Sequence, residues 1–380
     1  MKIAILGLGT VGFGVYDIIK KSEYLNDIEV KYVLDKDLSR QEYVSNETKV
    51  VNDYDLILND EEVSLVVETM GAKGFSYECT KKALLKGKSV VTANKEMIAE
   101  NITELTEIKT EKNVSLYYEA SVGGGIPIIY PLFQASKVNE IDKIKGILNG
   151  TTNFILTRMS QDNYTFADAL KLAQEKGFAE ADPTADLEGL DMVRKIAILS
   201  SIAYKGEIDL EKIYHFGISN LDKADIDFIK EKGYALKLIA SSTKYGDKVD
   251  IRIEPSLVSS DNVIAMTNNE FNIVSVNCSY NGELMFYGKG AGRYPTANAI
   301  VNDIIMHVEN DNSYSFCNYN KIEVEESDSK ASYSIRVKDI KLVSSEIIEK
   351  VEGNKIITKE IRRKEFKELL SNIEFYGIII

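Results

Sequence analysis

The chain has 380 residues, 44% hydrophobic and 28% charged, the balance of a globular protein with room for two or three domains. Its 46 Lys and Arg against 59 Asp and Glu give a formal charge of −13, which repels phosphate backbones and anionic bilayers, so neither nucleic acid nor a membrane is an expected partner. The apolar runs are too short to span a bilayer, and the N-terminus runs straight into a glycine turn where a leader would need a longer apolar stretch, so a cytoplasmic location is expected.

In chain order, Lys2–Leu6 reads as a strand, followed by Gly7-Leu8-Gly9-Thr10-Val11-Gly12 and a helix to about Lys20. Ile28–Leu34 and Ser64–Thr69 are further strands, then come a helix over Ser76–Lys86, a strand at Lys88–Thr92, a helix over Met97–Lys112 and a strand at Val114–Tyr118. Apolar strands alternating with amphipathic helices predict a parallel sheet with right-handed crossovers. Near residue 130 the rhythm changes. Glu140–Leu148 reads as a strand, and Thr152–Met159, Phe166–Gly177, Leu187–Tyr204 and Ala224–Ser241 as helices. Strands dominate from Lys248 to Tyr287, which makes the second unit α+β. Pro295–Val308 is helical and is expected to return to the first unit. Residues 309–332 are polar and aperiodic and read as a linker. The remainder reads β (Tyr333–Lys338), α (Ser345–Val351), β (Lys355–Glu360), α (Lys364–Leu370), β (Glu374–Ile380), too small a unit to stand alone.

The glycine spacing of Gly7, Gly9 and Gly12 is chemically meaningful in this context. The first glycine permits the tight turn, the second lets the backbone approach a pyrophosphate, and the third lets helix pack on strand. Thr10 and Val11 open the helix whose N-terminus faces the phosphates. The second strand ends in Asp35-Lys36. An acid there binds ribose hydroxyls and favours NAD, whereas Lys36 can pair with a 2′-phosphate and favour NADP. Thr92-Ala93-Asn94-Lys95 puts a lysine past a strand's C-terminal end, the edge where ligands bind in open parallel sheets; a solvated loop lysine is the plain alternative. Glu119 and the glycines of Gly123-Gly124-Gly125 offer a carboxylate and close carbonyls to a hard cation, or simply form a tight turn. Gly288–Thr296 is a second glycine cluster before a helix, suited to the nicotinamide half of a dinucleotide or to a hinge.

Ala173–Lys195 is the densest segment. Asp191 and Lys195 share one helix face, and the next positions on it, Ile198 and Ile202, are apolar. A surface ion pair would be followed by solvated residues, so this pair heads an inward stripe, and buried charges usually have a task. Cys79, Cys278 and Cys317 follow no metal-ligand spacing, and two histidines cannot readily build a triad or a zinc site, so acid–base chemistry falls to Lys, Asp and Glu.

Together these motifs resemble the homoserine dehydrogenase family. The specific match is Ala173–Lys195, with A-x-x-x-G-[aromatic]-A followed by D-P-x-x-D-[aliphatic]-x-G-x-D-x-x-x-K; Val91–Lys95, Glu119–Pro127, Gly146–Asn153 and Gly290–Thr296 support it in order. The resemblance implies NAD or NADP as cofactor and aspartate 4-semialdehyde and homoserine as substrate and product. It implies Asp191, Lys195 and Lys95 as catalytic residues, with Glu180 and the loop Asn149, Gly150, Thr151 and Thr152 at the substrate. The cofactor contacts expected from the strand ends and glycine turns are Gly7, Gly9, Thr10, Val11, Gly12, Asp35, Lys36, Thr92, Asn94, Lys95, Gly290 and Gly292. The resemblance carries a monovalent-cation site (Na or K) onto Glu119 and the carbonyls of Val122, Gly124 and Ile126, and a homodimer or homotetramer onto the second unit. The expected fold class is α/β: a Rossmann-type nucleotide-binding domain over 1–132 with 293–310 returning to it, an α+β catalytic and dimerisation domain over 133–292, a linker over 311–332, and a βαβαβ unit over 333–380.

Two departures stand out. Asp35 occupies a place where many relatives carry a basic residue. The last unit is shorter than the regulatory ACT domain that ends many members and lacks a Pro-Gly turn after its first strand; the resemblance makes it a degenerate ACT-like unit, from which feedback by threonine does not follow. The chain reads as the monofunctional form, with no kinase region ahead of Met1. Two other readings are weaker. An acyl-enzyme dehydrogenase needs a poised cysteine, and none of the three looks like one. A cofactor-sensing regulator has no need of the Asp191–Lys195 pair.

Overall fold

The computed structural model describes residues 1–71, 74–309 and 319–380. Cys317 and residues 311–318 of the expected linker lie outside the described residues. The first layer is a six-stranded sheet of β1 (Lys2–Leu6), β2 (Glu29–Leu34), β3 (Lys49–Val51), β4 (Val63–Glu68), β5 (Ser89–Thr92) and β6 (Leu116–Tyr117). Its order is β3-β2-β1-β4-β5-β6 and every pairing is parallel. Strands such as Val66-Val67 and Val90-Val91 are fully buried, as expected for strands covered on both faces. The order reverses between β1 and β4, and in open sheets that reversal opens a crevice at the strand C-termini. Two elements went unread in the sequence: β3 and the short helix Tyr54–Leu58 capped by Asp53.

A second, mixed sheet starts with β7 (Ile141–Ile147). Its path runs Gly282–Lys289, Phe271–Cys278, β7, Tyr234–Tyr245, Lys248–Ser259, then Ile373–Ile379, Tyr333–Val337, Lys355–Thr358 and Ile348–Glu352. The helices Gly150–Gln161 and Leu190–Tyr204 pack against it, and the long Arg293–Val308 helix returns to the first layer. That return is close: a Cβ at Gly14 would lie 2.9 Å from Ala297 Cβ. Among the described residues no helix is long and apolar enough to cross a membrane.

Three expectations are corrected. The helix expected over Ala224–Ser241 ends early: Lys223–Glu231 is helical, Gly233 takes a left-handed φ of 84°, and Tyr234–Tyr245 is a strand paired along its length with Lys248–Ser259. Pairing on both sides outweighs the helix-compatible spacing of its apolar residues. The described part of the 311–332 linker is not structureless, since Asn320–Lys321, Glu323–Val324 and Lys330–Ala331 pair with Gly206–Glu207, Lys248–Val249 and Ile361–Arg362. The helix expected over Ser345–Val351 is a 3-10 turn, Ser345–Ile347, leading into the strand Ile348–Glu352. Gly353-Asn354 closes a hairpin in which Glu352 faces Lys355, so the terminal unit is not βαβαβ and contains one α-helix, Arg363–Leu369. Nor does it stand apart, because its last strand extends the second sheet.

Candidate active site

The glycine turn is built as its spacing predicts. Gly7 has φ +91°, and a Cβ at Gly12 would fall 2.0 Å from Gly7 O and 2.7 Å from Thr69 Oγ1. Gly9 caps the helix Thr10–Lys21 and has open space where a side chain would stand, leaving that N-terminus approachable by an anion. At the end of β2 the Asp35 carboxylate is engaged. It accepts from Leu8 N (3.0 Å) and Asp37 N (3.0 Å), and Arg40 Nε lies 3.3 Å away. Arg40 Nη1 also donates to Leu8 O at 2.7 Å, whereas Lys36 is exposed. Arg40 is therefore the guanidinium that holds Asp35 and the glycine turn together, a residue the sequence did not single out.

At the end of β5, Thr92 is fully buried and donates to Glu68 Oε2 at 2.6 Å; it acts on the cleft through Asn94, whose N–H it accepts at 3.0 Å. Asn94 caps the helix Lys95–Glu111 by accepting from Met97 N, which places Lys95 at the helix's first position. Facing it, Asp191 and Lys195 stand on the first turns of the helix Leu190–Tyr204. Asp191 Oδ1 lies 3.1 Å from Lys95 Nζ, and Oδ2 lies 2.7 Å from Lys195 Nζ. Asn149 Nδ2 donates to the same Oδ2 at 2.9 Å and to Asp186 Oδ1 at 2.7 Å. Lys195 Nζ has a second acceptor, Leu148 O, at 2.7 Å. Burial pushes the Asp191 carboxyl up, but the two ammoniums and the hydrogen bonds outweigh it and hold the carboxyl well below the usual range. The stripe behind it is buried as read, with Ile198 and Ile202 at 1% and 0% exposure.

These groups line one cleft of about 860 Å³ between the two sheets. Val11, Asn94, Lys95, Gly124, Asn149, Gly150, Thr151, Glu180, Asp191, Lys195, Gly290 and Gly292 all reach it. Thr152 is buried and donates instead to Asn149, and Thr151 Oγ1 donates to Phe178 O. The two glycine clusters meet at its floor: Gly125 N donates to Lys289 O at 3.1 Å, and a Cβ at Gly124 would lie 2.5 Å from Gly290 O. Asp186 and Glu270 also line the cleft and were not singled out, although Asp186 stands in the densest motif. Burial pushes the Asp186 carboxyl up, opposed by the Asn149 hydrogen bond. A second ion pair, Glu96 with Arg194 at 2.8 Å, runs beside the lysines and ties the same two helices.

Glu119 is buried and caps a helix start, accepting from Ile128 N (2.6 Å), Ile129 N (2.7 Å) and Tyr130 N (2.8 Å). Burial pushes its carboxyl up while those three N–H groups pull it back. Its own N–H donates to Asp303 Oδ2, and Asp303 Oδ1 is buried without a hydrogen bond. The carbonyls of Val122, Gly124 and Ile126 accept no hydrogen bond from the described residues. Cys79 and Cys278 are buried away from the cleft, and burial pushes the Cys79 thiol up to about 11, so neither is a poised nucleophile.

Known proteins share this sequence and architecture. The family model described as homoserine dehydrogenase matches residues 127–305, and that described as homoserine dehydrogenase, NAD binding domain, matches residues 7–119. The chain is 40% identical to the homoserine dehydrogenase of Bacillus subtilis over 318 residues, covering 82% of this chain and 73% of that one. It is 40% identical to that of Synechocystis sp. over 314 residues, covering 80% and 72%. The crystal structure of a homoserine dehydrogenase from Thiobacillus denitrificans superposes with a TM-score of 0.90 at 29% identity, covering 100% of this chain and 98% of that one. A hyperthermophilic archaeal homoserine dehydrogenase in complex with NADPH superposes at 0.70 with 26% identity, covering 81% and 98%.

Proposed function

The chain belongs to the homoserine dehydrogenase family, and from that premise we propose how its residues divide the work. The reaction is the NAD(P)-dependent interconversion of L-aspartate 4-semialdehyde and L-homoserine, a step of the aspartate-family biosynthesis of threonine and methionine. When bound, the nicotinamide supplies the hydride. The chain's groups must hold the aldehyde, meet the negative charge that develops on its oxygen, and deliver a proton.

The observation that carries the assignment is the Asp191 carboxylate shared by two lysines at the cleft wall. Lys195 has two of its three donors committed, to Asp191 and Leu148, and its third is free for a substrate oxygen. Its side chain is 12% exposed, so its charge acts in a poorly screened place and stabilises the alkoxide. Lys95, with a side chain 40% exposed, is suited to exchange protons with water. Oxidation of homoserine needs an unprotonated acceptor and is favoured by high pH. Glu180 takes the substrate's ammonium end, with Asp186 lining the same cleft. Asn149 to Thr152 fix the loop between substrate and cofactor, through the cap that Asn149 places on the helix Gly150–Gln161. Gly7 to Gly12, Asn94, Gly290 and Gly292 receive the dinucleotide. Asp35 and Lys36 stand at its ribose end.

Glu119 with the carbonyls of Val122, Gly124 and Ile126 fits a monovalent cation, Na or K, since those carbonyls receive no hydrogen bond from the described residues and Asp303 adds a buried oxygen without one. Such an ion would neutralise two adjacent buried carboxylates and pin the loop beneath the cleft. A dimer or tetramer formed through the second sheet is supported by its edge strand Gly282–Lys289, which exposes Met285 and Tyr287. The protein is assigned to the cytoplasm on its composition. The test is absorbance at 340 nm with aspartate semialdehyde, run with NADH and NADPH in parallel. Cofactor oxidation dependent on the aldehyde is expected with at least one of them, and turnover with neither overturns the reading.

A further inference from the structure

The strand Lys248–Ser259 alternates Val249, Ile251 and Ile253 with Asp250, Arg252, Glu254 and Ser256. A polar face of that kind ordinarily meets water. Here it is buried, because the C-terminal unit covers it. Arg363, 2% exposed, sets Nη1 3.0 Å from Glu254 Oε2 and donates through Nε to Glu326 at 2.5 Å. Tyr376 donates to Glu254 Oε2 at 2.8 Å, and its hydroxyl lies 3.1 Å from that of Tyr214.

The dock also grips a third segment, residues 214–220. Tyr214 and His215 pair with Arg252 and Ile253, and the Phe216 ring lies 4.5 Å from that of Tyr376. Arg336, in the C-terminal unit, donates to Asn220 O at 2.6 Å. On its far side this segment lies on the turn Thr184–Gly189. Ile218 N donates to Leu187 O at 2.9 Å, His215 Nδ1 lies 3.0 Å from Glu188 O, and Ser219 hydrogen-bonds Glu188. The approach is so close that a Cβ at Gly217 would fall 2.2 Å from Leu187 O. That turn carries Asp186 into the cleft and leads directly into the helix of Asp191 and Lys195.

We propose that the C-terminal unit is a permanent brace of the substrate pocket. Through Tyr376 and Phe216 it clamps residues 214–220 onto the Thr184–Gly189 turn and so sets the position of Asp186. Phe216 and Tyr376 are positioning residues; neither lines the cleft. The chain is packed continuously from the dock to the pocket, with a buried ion pair at one end and a glycine-only contact at the other, so displacement of the unit has no soft element to absorb it. The covered face is ionic and hydrogen-bonded, which specifies one docked geometry. The proposal rests on Asp186 acting at the substrate end of the site.

The test uses the full chain carrying Phe216→Ala or the milder Tyr376→Phe, each alone and combined with Asp186→Asn, together with Phe216→Leu as the conservative variant. Cofactor Kd is read by fluorescence, and KM and kcat for aspartate semialdehyde are read at 340 nm. In a folded variant the brace predicts that KM rises about threefold or more while cofactor Kd stays within about twofold, that Phe216→Leu recovers most of the loss, and that the increment vanishes in the Asp186→Asn background. An unchanged KM in both folded variants, or the same increment with and without Asp186, overturns the brace. If Asp186→Asn alone leaves KM unchanged, the placing of Asp186 at the substrate is itself wrong, and the brace falls with it.

Discussion

Lys95 and Asp191 meet across the two sheets: the ammonium at the start of one helix lies 3.1 Å from the carboxylate at the start of another, and each helix is anchored in a different layer. The same carboxylate holds Lys195 at 2.7 Å on its other oxygen. One acid thus fixes two cations at a single wall of the cleft.

Asp191→Asn keeps the shape and removes the charge that holds both lysines. Breaking a buried pair from one side costs about 3–5 kcal/mol where nothing replaces it, and here the penalty is borne by two ammoniums that line the cleft. The variant should remain folded by circular dichroism and lose kcat by roughly 10²–10³-fold. A kcat within a few-fold of the parent would contradict the shared-carboxylate assignment.

Arg40 bears on cofactor choice. It already bonds Leu8 O and stands beside Asp35, so it can offer a 2′-phosphate a guanidinium where Asp35 alone would repel it. Arg40→Ala should raise KM for NADPH about tenfold and KM for NADH by less than about threefold. Equal changes in both would show that Arg40 only shapes the turn.

The proposed cation site predicts a specific salt response. In thermal melts at equal ionic strength, NaCl or KCl should raise Tm by a few degrees over choline chloride, and Glu119→Gln, which leaves one of the three N–H donors of residues 128–130 facing an amide donor, should lower Tm and erase the difference. A variant that keeps the full response would move the ion elsewhere.

Lys237 supplies a pH signature. It is buried at 3% exposure, donates to Thr267 O and Asn153 Oδ1, and burial pushes its pKa from 10.5 down to about 8. Between those values the unfolded chain binds a proton that the folded chain has lost, so this group's contribution to stability rises with pH from about 8 to about 10.5, and below about 8 its burial as a cation costs stability. Denaturant unfolding of the parent and of Lys237→Met should therefore diverge in the parent's favour across that window, by roughly 1–3 kcal/mol. Parallel pH profiles would contradict it.

The first sheet was legible because β-branched runs, the Gly7–Gly12 turn and the helix caps all point to one answer. The cleft was legible where function stands inside local pattern, as with Asp191 and Lys195 heading a stripe that ends in Ile198 and Ile202. Arg40, Glu270 and the role of Asp186 were not legible, because each depends on contacts between segments distant in sequence. The burial of Asp250, Arg252, Glu254 and Ser256 was not legible for the same reason. Their partners Arg363 and Tyr376 belong to a unit whose docking no local period records. The Gly353-Asn354 hairpin was a local signal that the apolar spacing of Ile347, Ile348 and Val351 obscured.

The most direct test is single-turnover hydride transfer to aspartate semialdehyde in purified Lys195→Ala and Lys95→Ala, with cofactor binding measured in the same samples. The account predicts cofactor Kd near that of the parent in both, with transfer slowed by roughly 10²-fold or more when Lys195 is lost, and with the pH dependence altered when Lys95 is lost. Transfer at the parent rate in both variants would contradict it.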